Sequence, residues 1–207
     1  MIRFTIRLVV RSFAWLAPTL VYLTWVAVTI GGGASALSNA TGLFYASLVW
    51  SIWMTITTGN LDSDEHRELL AAASGSTMRL HAQRALSVLT IAVPLAAVAS
   101  TLATAAGISN NAGRDWLICF LTAIGGGLLG TSFGTLLHRP LLRHRGLTVL
   151  LATLFVVTMI VAPPTLWALD AAESGDTLFA VATVAVLGLW CAATVATASR
   201  WAASRAR

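Results

Sequence analysis

The sequence predicts an all-α integral membrane protein: six transmembrane helices, an N-terminal interfacial helix, and a short cytoplasmic helix between the second and third spans, all in one domain over 1–207. Three observations predict it. The 207 residues are 57% hydrophobic and only 10% charged, where a soluble domain carries about 25% charged residues. The charges are clustered, leaving six uncharged runs close to the 20 residues a helix needs to cross ~30 Å of hydrocarbon. The arginines fall in every second connection, so they gather on one side of such a bundle.

The six runs are about 12–31, 41–59, 84–106, 116–137, 147–168 and 178–199. Ahead of the first, Arg3, Arg7 and Arg11 recur every four residues and share one helical face. Phe4, Leu8, Val9, Val10 and Phe13 cover much of the rest, as in a helix lying at a membrane interface. Arginines, an apolar run and Ala34-Ser35-Ala36 also follow one another as in a secretory leader. The run from Ser12 to Ile30 exceeds the roughly 7–15 residues of a leader's core, so it reads as a retained first span.

Orientation follows from arginine placement. The N-terminal segment (Arg3, Arg7, Arg11), the second loop (Arg67, Arg79, Arg84), the fourth loop (Arg139, Arg143, Arg145) and the tail (Arg200, Arg205, Arg207) hold all but Arg114 of the thirteen basic residues. Both termini are therefore expected in the cytoplasm. Trp15, Trp116, Trp167 and Trp201 fall near span ends, where an aromatic belt is expected. Trp25, Trp50, Trp53 and Trp190 lie deeper, as packing residues or ligand contacts.

Several classes of chemistry are excluded. The net charge of +5 sits in loop clusters rather than on one stripe with interleaved aromatics, which argues against nucleic acid. There is no lysine, so neither a phosphate-gripping P-loop nor a Schiff base is available. Cys119 and Cys191 lie inside apolar runs and read as small hydrophobes, with no metal site. His66, His81, His138 and His144 all read as loop residues, so no span carries an ionisable group for proton or ion coupling.

Gly130-Thr131-Ser132-Phe133-Gly134 matches G-x-S-x-G, but neither of the last two spans supplies a histidine base, which leaves Ser132 unactivated. The same stretch has a packing explanation. Gly126, Gly130 and Gly134 recur every four residues and make a smooth stripe for another helix, within the bundle rather than at a dimer seam.

The second loop is the longest and most charged cytoplasmic connection. Asp62 or Ser63 fits an N-cap, acids occupy the first turn, Glu65 to Ala73 are mostly helix formers, and Gly75 fits a stop, giving a helix over about 62–75. Leu69, Leu70 and Ala73 form its apolar face beside Asp64, Glu65, Arg67 and Glu68. Such a helix fits either a solvated connector or a dock for a soluble partner.

The run Arg67-Glu68-Leu69-Leu70-Ala71-Ala72-Ala73-Ser74-Gly75-Ser76 resembles the coupling-helix segment of permeases of the ABC-2 (type V) transporter class. Glu68, Leu69, Leu70 and Ala72 match its E-L-L-x-A part, and Ser74 or Gly75 stands where the family has proline. The order of elements is similar across nearly the whole chain, with Pro163-Pro164 ending span five and Thr165 to Thr177 available as an outer element.

The resemblance implies a permease subunit, without its own ATPase site, of an exporter in a bacterial plasma membrane. ATP and Mg would be held by a separate ATPase that docks on Asp64, Glu65, Arg67, Glu68, Leu69 and Leu70. A second permease half, identical or homologous, would complete the path. The path would be lined by Thr41, Tyr45 and Trp50 in span two and Thr153, Thr158 and Met159 in span five, positions that fit packing roles equally well. A route of apolar and hydroxyl groups suits a lipid, hydrophobic drug or amphipathic peptide. The other reading is a non-transporting scaffold or immunity protein that binds a cytoplasmic partner through the same loop.

Overall fold

The computed structural model describes residues 2–30, 34–60, 77–137, 145–160 and 162–205. They form α1 (Ile2–Arg11), α2 (Leu16–Ile30), α3 (Ala36–Asn60), α4 (Thr77–Ala106), α5 (Ala112–Leu137), α6 (Arg145–Met159), α7 (Pro163–Ser174) and α8 (Thr177–Arg205). The protein is all-helical, and its apolar helices are those of a membrane protein. Helices α3, α4, α5 and α8 are long and apolar enough to cross a bilayer, and α1 with α2 makes a fifth if that bent pair counts as one.

Polar caps set where three of the long helices begin. Ser35 Oγ accepts the Ser38 N–H at 3.1 Å, Asn111 Oδ1 the Arg114 N–H at 3.2 Å, and Asp176 Oδ1 the Leu178 and Phe179 N–H groups at 2.9 and 3.3 Å. Each satisfies amides that the first turn leaves without an intrahelical partner.

Two predicted spans are corrected. The run 12–31 does not start as a helix at 12. Phe13 adopts φ 54°, and the chain turns by 82° between α1 and α2. Ser12 Oγ donates to Val9 O at 2.9 Å, closing the end of α1, and Phe13 holds the left-handed position that usually ends a helix at glycine. The run 147–168 is not one helix either. Ala162 is extended (φ −78°, ψ 142°) ahead of Pro163 and Pro164, because a residue before proline is pushed out of the helical region. The 15 residues of α6 reach about 22 Å, short of the ~30 Å core. A third correction concerns the loop before span three. Residues 77–83 continue the helix, so Arg79, His81 and Arg84 lie on α4, and His81 and Arg84 are buried. Charge stops an apolar run, but no glycine or proline stops the backbone between Thr77 and Pro94.

Residue pairing gives the direction of each helix. Trp50 Nε1 donates to Thr19 Oγ1 at 3.2 Å while Gly42 meets Thr29, so α2 and α3 are antiparallel. Gly126 lies against Phe44, Gly130 against Leu48 and Gly134 against Ile52 and Thr55, so α3 and α5 are parallel. Trp116 Nε1 donates to Thr101 Oγ1 at 3.1 Å and Gly127 faces Ala92, so α4 runs against α5. Phe155 stacks on Phe133 with ring centroids 3.6 Å apart, Ala168 lies beside Leu121 and Gly125, and Gly175 sits at Arg114. Thus α6 and α7 together run back along the whole of α5. Gly125 meets Val184 and Leu187, and Leu128 packs with Cys191 and Val195, so α8 is parallel to α5.

Helices α5 and α3 form the centre and are mostly buried, whereas α8 is mostly exposed. A Cβ on Gly126 or Gly130 would lie inside contact distance of the Phe44 or Leu48 carbonyl oxygen. The glycine stripe therefore brings backbone onto backbone.

Candidate functional site

Of the residues expected to line a path, Tyr45 and Met159 share a hydrophobic cluster. Both pack on the cluster of Phe44, Leu48, Ile52, Leu129, Ala168 and Leu187 that joins α3 to α6, α7 and α8, and Tyr45 meets Phe44 edge-on at 5.5 Å. Thr41 is half-buried one turn before Tyr45. Trp50 is on a different face, about 140° round the helix from Tyr45, buried against α2 and edge-on to Tyr22 at 6.4 Å. Thr153 and Thr158 are exposed, and their hydroxyls donate to Val149 O and Leu154 O within α6. The six do not converge on one surface.

The docking residues Asp64, Glu65, Arg67, Glu68, Leu69 and Leu70, and the whole 62–75 helix, lie outside the described residues. Ser132 is buried and its Oγ donates to Leu128 O at 2.7 Å, a bond within its own helix. Both cysteines are free and buried, and Cys119 Sγ donates to Ala36 O at 3.2 Å. Among the described residues no group of three or more His, Cys, Asp or Glu side chains is placed to hold a metal ion.

No protein-family model, curated protein or solved structure matches this chain.

Three features carry polar or recognition chemistry that the sequence reading did not assign. First, Asp115 is buried in the first turn of α5. Its Oδ2 accepts the Ser109 hydroxyl at 2.7 Å, and Arg114 Nε stands 3.5 Å from Oδ1. A carboxylate there also meets the positive end of the helix dipole. The clue in the sequence is an acid four residues past the cap Asn111.

Second, buried polar atoms are scattered over the central three helices. Asn39 Nδ2, Ser51 Oγ and Thr55 Oγ1 on α3, Ser100 Oγ on α4 and Thr131 Oγ1 on α5 make no hydrogen bond among the described residues. Ser51 and Thr55 face the glycine stripe, within contact of where side chains on Gly127, Gly130 and Gly134 would stand.

Third, α2 and α3 leave an aromatic groove between them. Pro18, Val21, Tyr22 and Trp25 form one wall, and Ala46, Val49, Trp50 and Trp53 the other. The enclosed part is only about 10 Å³, a slot and not a chamber. Trp25 and Trp53 are 46% and 42% exposed at its rim, and Tyr22 is buried at its floor. The signal was present as Tyr22/Trp25 and Trp50/Trp53, each pair three residues apart and so on one helix face.

Proposed function

We propose that this chain is the membrane-spanning permease subunit of an ATP-driven exporter resembling the ABC-2 class, crossing the bilayer six times with both termini cytoplasmic and moving a hydrophobic or amphipathic substrate. The observation that carries the reading is the alternation of helix directions. The order α2, α3, α4, α5, the broken α6–α7 pass and α8 reverses direction at every step. Six passes leave twelve of the thirteen arginines at one end, the end expected in the cytoplasm.

The position of the buried charges supports an external energy source. Among the described residues these are His81 and Arg84 near one end of α4 and Asp115 at the start of α5. With Trp116 level with Thr101 and Gly127 level with Ala92, Arg84 falls near Thr135, 20 residues from Asp115, or roughly 30 Å along α5. No side chain reaches that far, so the two sites do not form a proton relay. Work on a cargo is then supplied by a partner that binds and hydrolyses ATP with Mg and pushes on the 62–75 segment, while a second permease half closes the path.

The test is extraction in mild detergent followed by identification of the bound protein. An ATPase is expected to co-purify, and the double substitution Leu69→Asp, Leu70→Asp is expected to release it. An ATPase retained by that variant argues against docking at this loop. Topology reporters fused after Asn110 and Ala172 are expected to read outside, and a cytoplasmic signal at either breaks the six-pass arrangement. Cargo-stimulated ATP hydrolysis separates an exporter from a scaffold, whose partner would be indifferent to cargo.

A further inference from the structure

We infer that the α1–α2 elbow and the aromatic groove above it form one binding site for an anionic phospholipid of the leaflet in which α1 lies. The site requires only that the bundle sits in a membrane, and it holds whether or not the chain carries a cargo.

The 82° turn decides the layout. With α2 running across the bilayer, α1 lies nearly in the membrane plane, at the depth where lipid headgroups begin. Arg7 and Arg11 are exposed on one face of α1, one turn apart, while Val9 on the opposite face is buried in the bundle. Val10 and Phe13 are exposed beside them, at 50% and 71%. Guanidinium groups next to apolar side chains at this depth suit a phosphate above and hydrocarbon below.

The groove lies on α2, past the elbow. It begins at Pro18, two residues into α2, and ends at Trp25, seven residues on and so about 10 Å further up the helix. It therefore lies within the ~15 Å depth of one leaflet's hydrocarbon. The slot is open along its side, with half-exposed indoles at Trp25 and Trp53 against which the upper part of an acyl chain can lie. A lipid whose chain fills it places its headgroup at the level of Arg7 and Arg11. Positive side chains at that level select a negatively charged headgroup over a zwitterionic one.

The test uses the full chain in detergent micelles, titrated with phospholipids brominated on the acyl chain, which quench nearby indoles. The reported signal is the part of the quenching lost in the double variant Trp25→Phe, Trp53→Phe. Brominated phosphatidylglycerol is expected to half-quench this component at about a tenfold lower mole fraction than brominated phosphatidylcholine. The double variant Arg7→Gln, Arg11→Gln is expected to bring the two curves together with unchanged helical circular dichroism. Arg7→Lys, Arg11→Lys, which keeps the charge, is expected to keep them apart. Equal quenching by both lipids in the unaltered protein, or a preference that survives the glutamine variant, overturns the site.

Discussion

Along α3 and α5 backbone meets backbone, with Gly126 and Gly130 pressed on the carbonyl oxygens of Phe44 and Leu48. Along α6 and α7 the same bundle is loose. Val149, Leu150, Leu154 and Val157 are more than half exposed, the helix stops at Met159, and it restarts at Pro163. The two regions are similarly apolar. Small residues at a spacing of four let helices approach until dispersion and carbonyl contacts hold them. Branched residues and a proline pair keep a pass at arm's length and divide it. Apolarity places a helix in the membrane, and side-chain size decides whether it becomes core or periphery.

This contrast breaks first at the glycines. Replacing Gly126 and Gly130 together with alanine forces two methyl groups against backbone, and is expected to cost about 3 kcal/mol or more, read as a lowered unfolding temperature in detergent and loss of the monodisperse fraction. The same change at Gly188 of α8, where nothing lies within 4 Å, is expected to stabilise by up to about 1 kcal/mol through helix propensity. Equal effects at the two places would remove the distinction between seam and periphery.

A smaller effect is expected where the loose pass is fastened to the core. Gly175 closes α7 at φ 67°, and a Cβ there would stand 3.3 Å from the Arg114 guanidinium. Gly175→Ala should cost about 1–2 kcal/mol, and Arg114→Ala in the same background should recover only the steric part of it, measured by the same unfolding assay.

The smallest effect is expected at the elbow. Phe13 bears a left-handed backbone without being glycine, a strain of about 1 kcal/mol. Phe13→Gly should relieve part of it, offset by the greater freedom of an unfolded glycine, for a net change under about 1 kcal/mol. Spin labels on α1 and α2 should report an unchanged angle. A straightened α1–α2 in that variant would mean that Phe13 itself makes the turn.

Much of the fold was legible in the sequence. The helical class, the four long apolar helices and the amphipathic 2–11 segment follow from composition and spacing, and the glycine stripe is a plain every-fourth-residue pattern. The breaks were harder to read. Pro163-Pro164 announced the second, since a proline ring clashes with the carbonyl four residues back and Pro163 stands four residues past Met159, where α6 ends. Nothing local marks Phe13, because the left-handed residue there is not a glycine. Of the candidate site, Tyr45 and Met159 met as members of one cluster, while Trp50 turned to α2 because its indole N–H found Thr19. The groove of Trp25 and Trp53 stayed hidden because its two walls come from different helices.

The chain alone determined that it is built of helices apolar enough for a membrane, and that its charges gather between the apolar runs. Burying charge in hydrocarbon costs enough for one-dimensional charge spacing to settle these. Only the tertiary structure decided that α3 and α5 form the centre, that Asp115 and Arg84 are enclosed at opposite ends, and that a tryptophan-walled slot lies between α2 and α3. These depend on which faces of distant helices meet, and that is a matter of shape between side chains far apart in sequence.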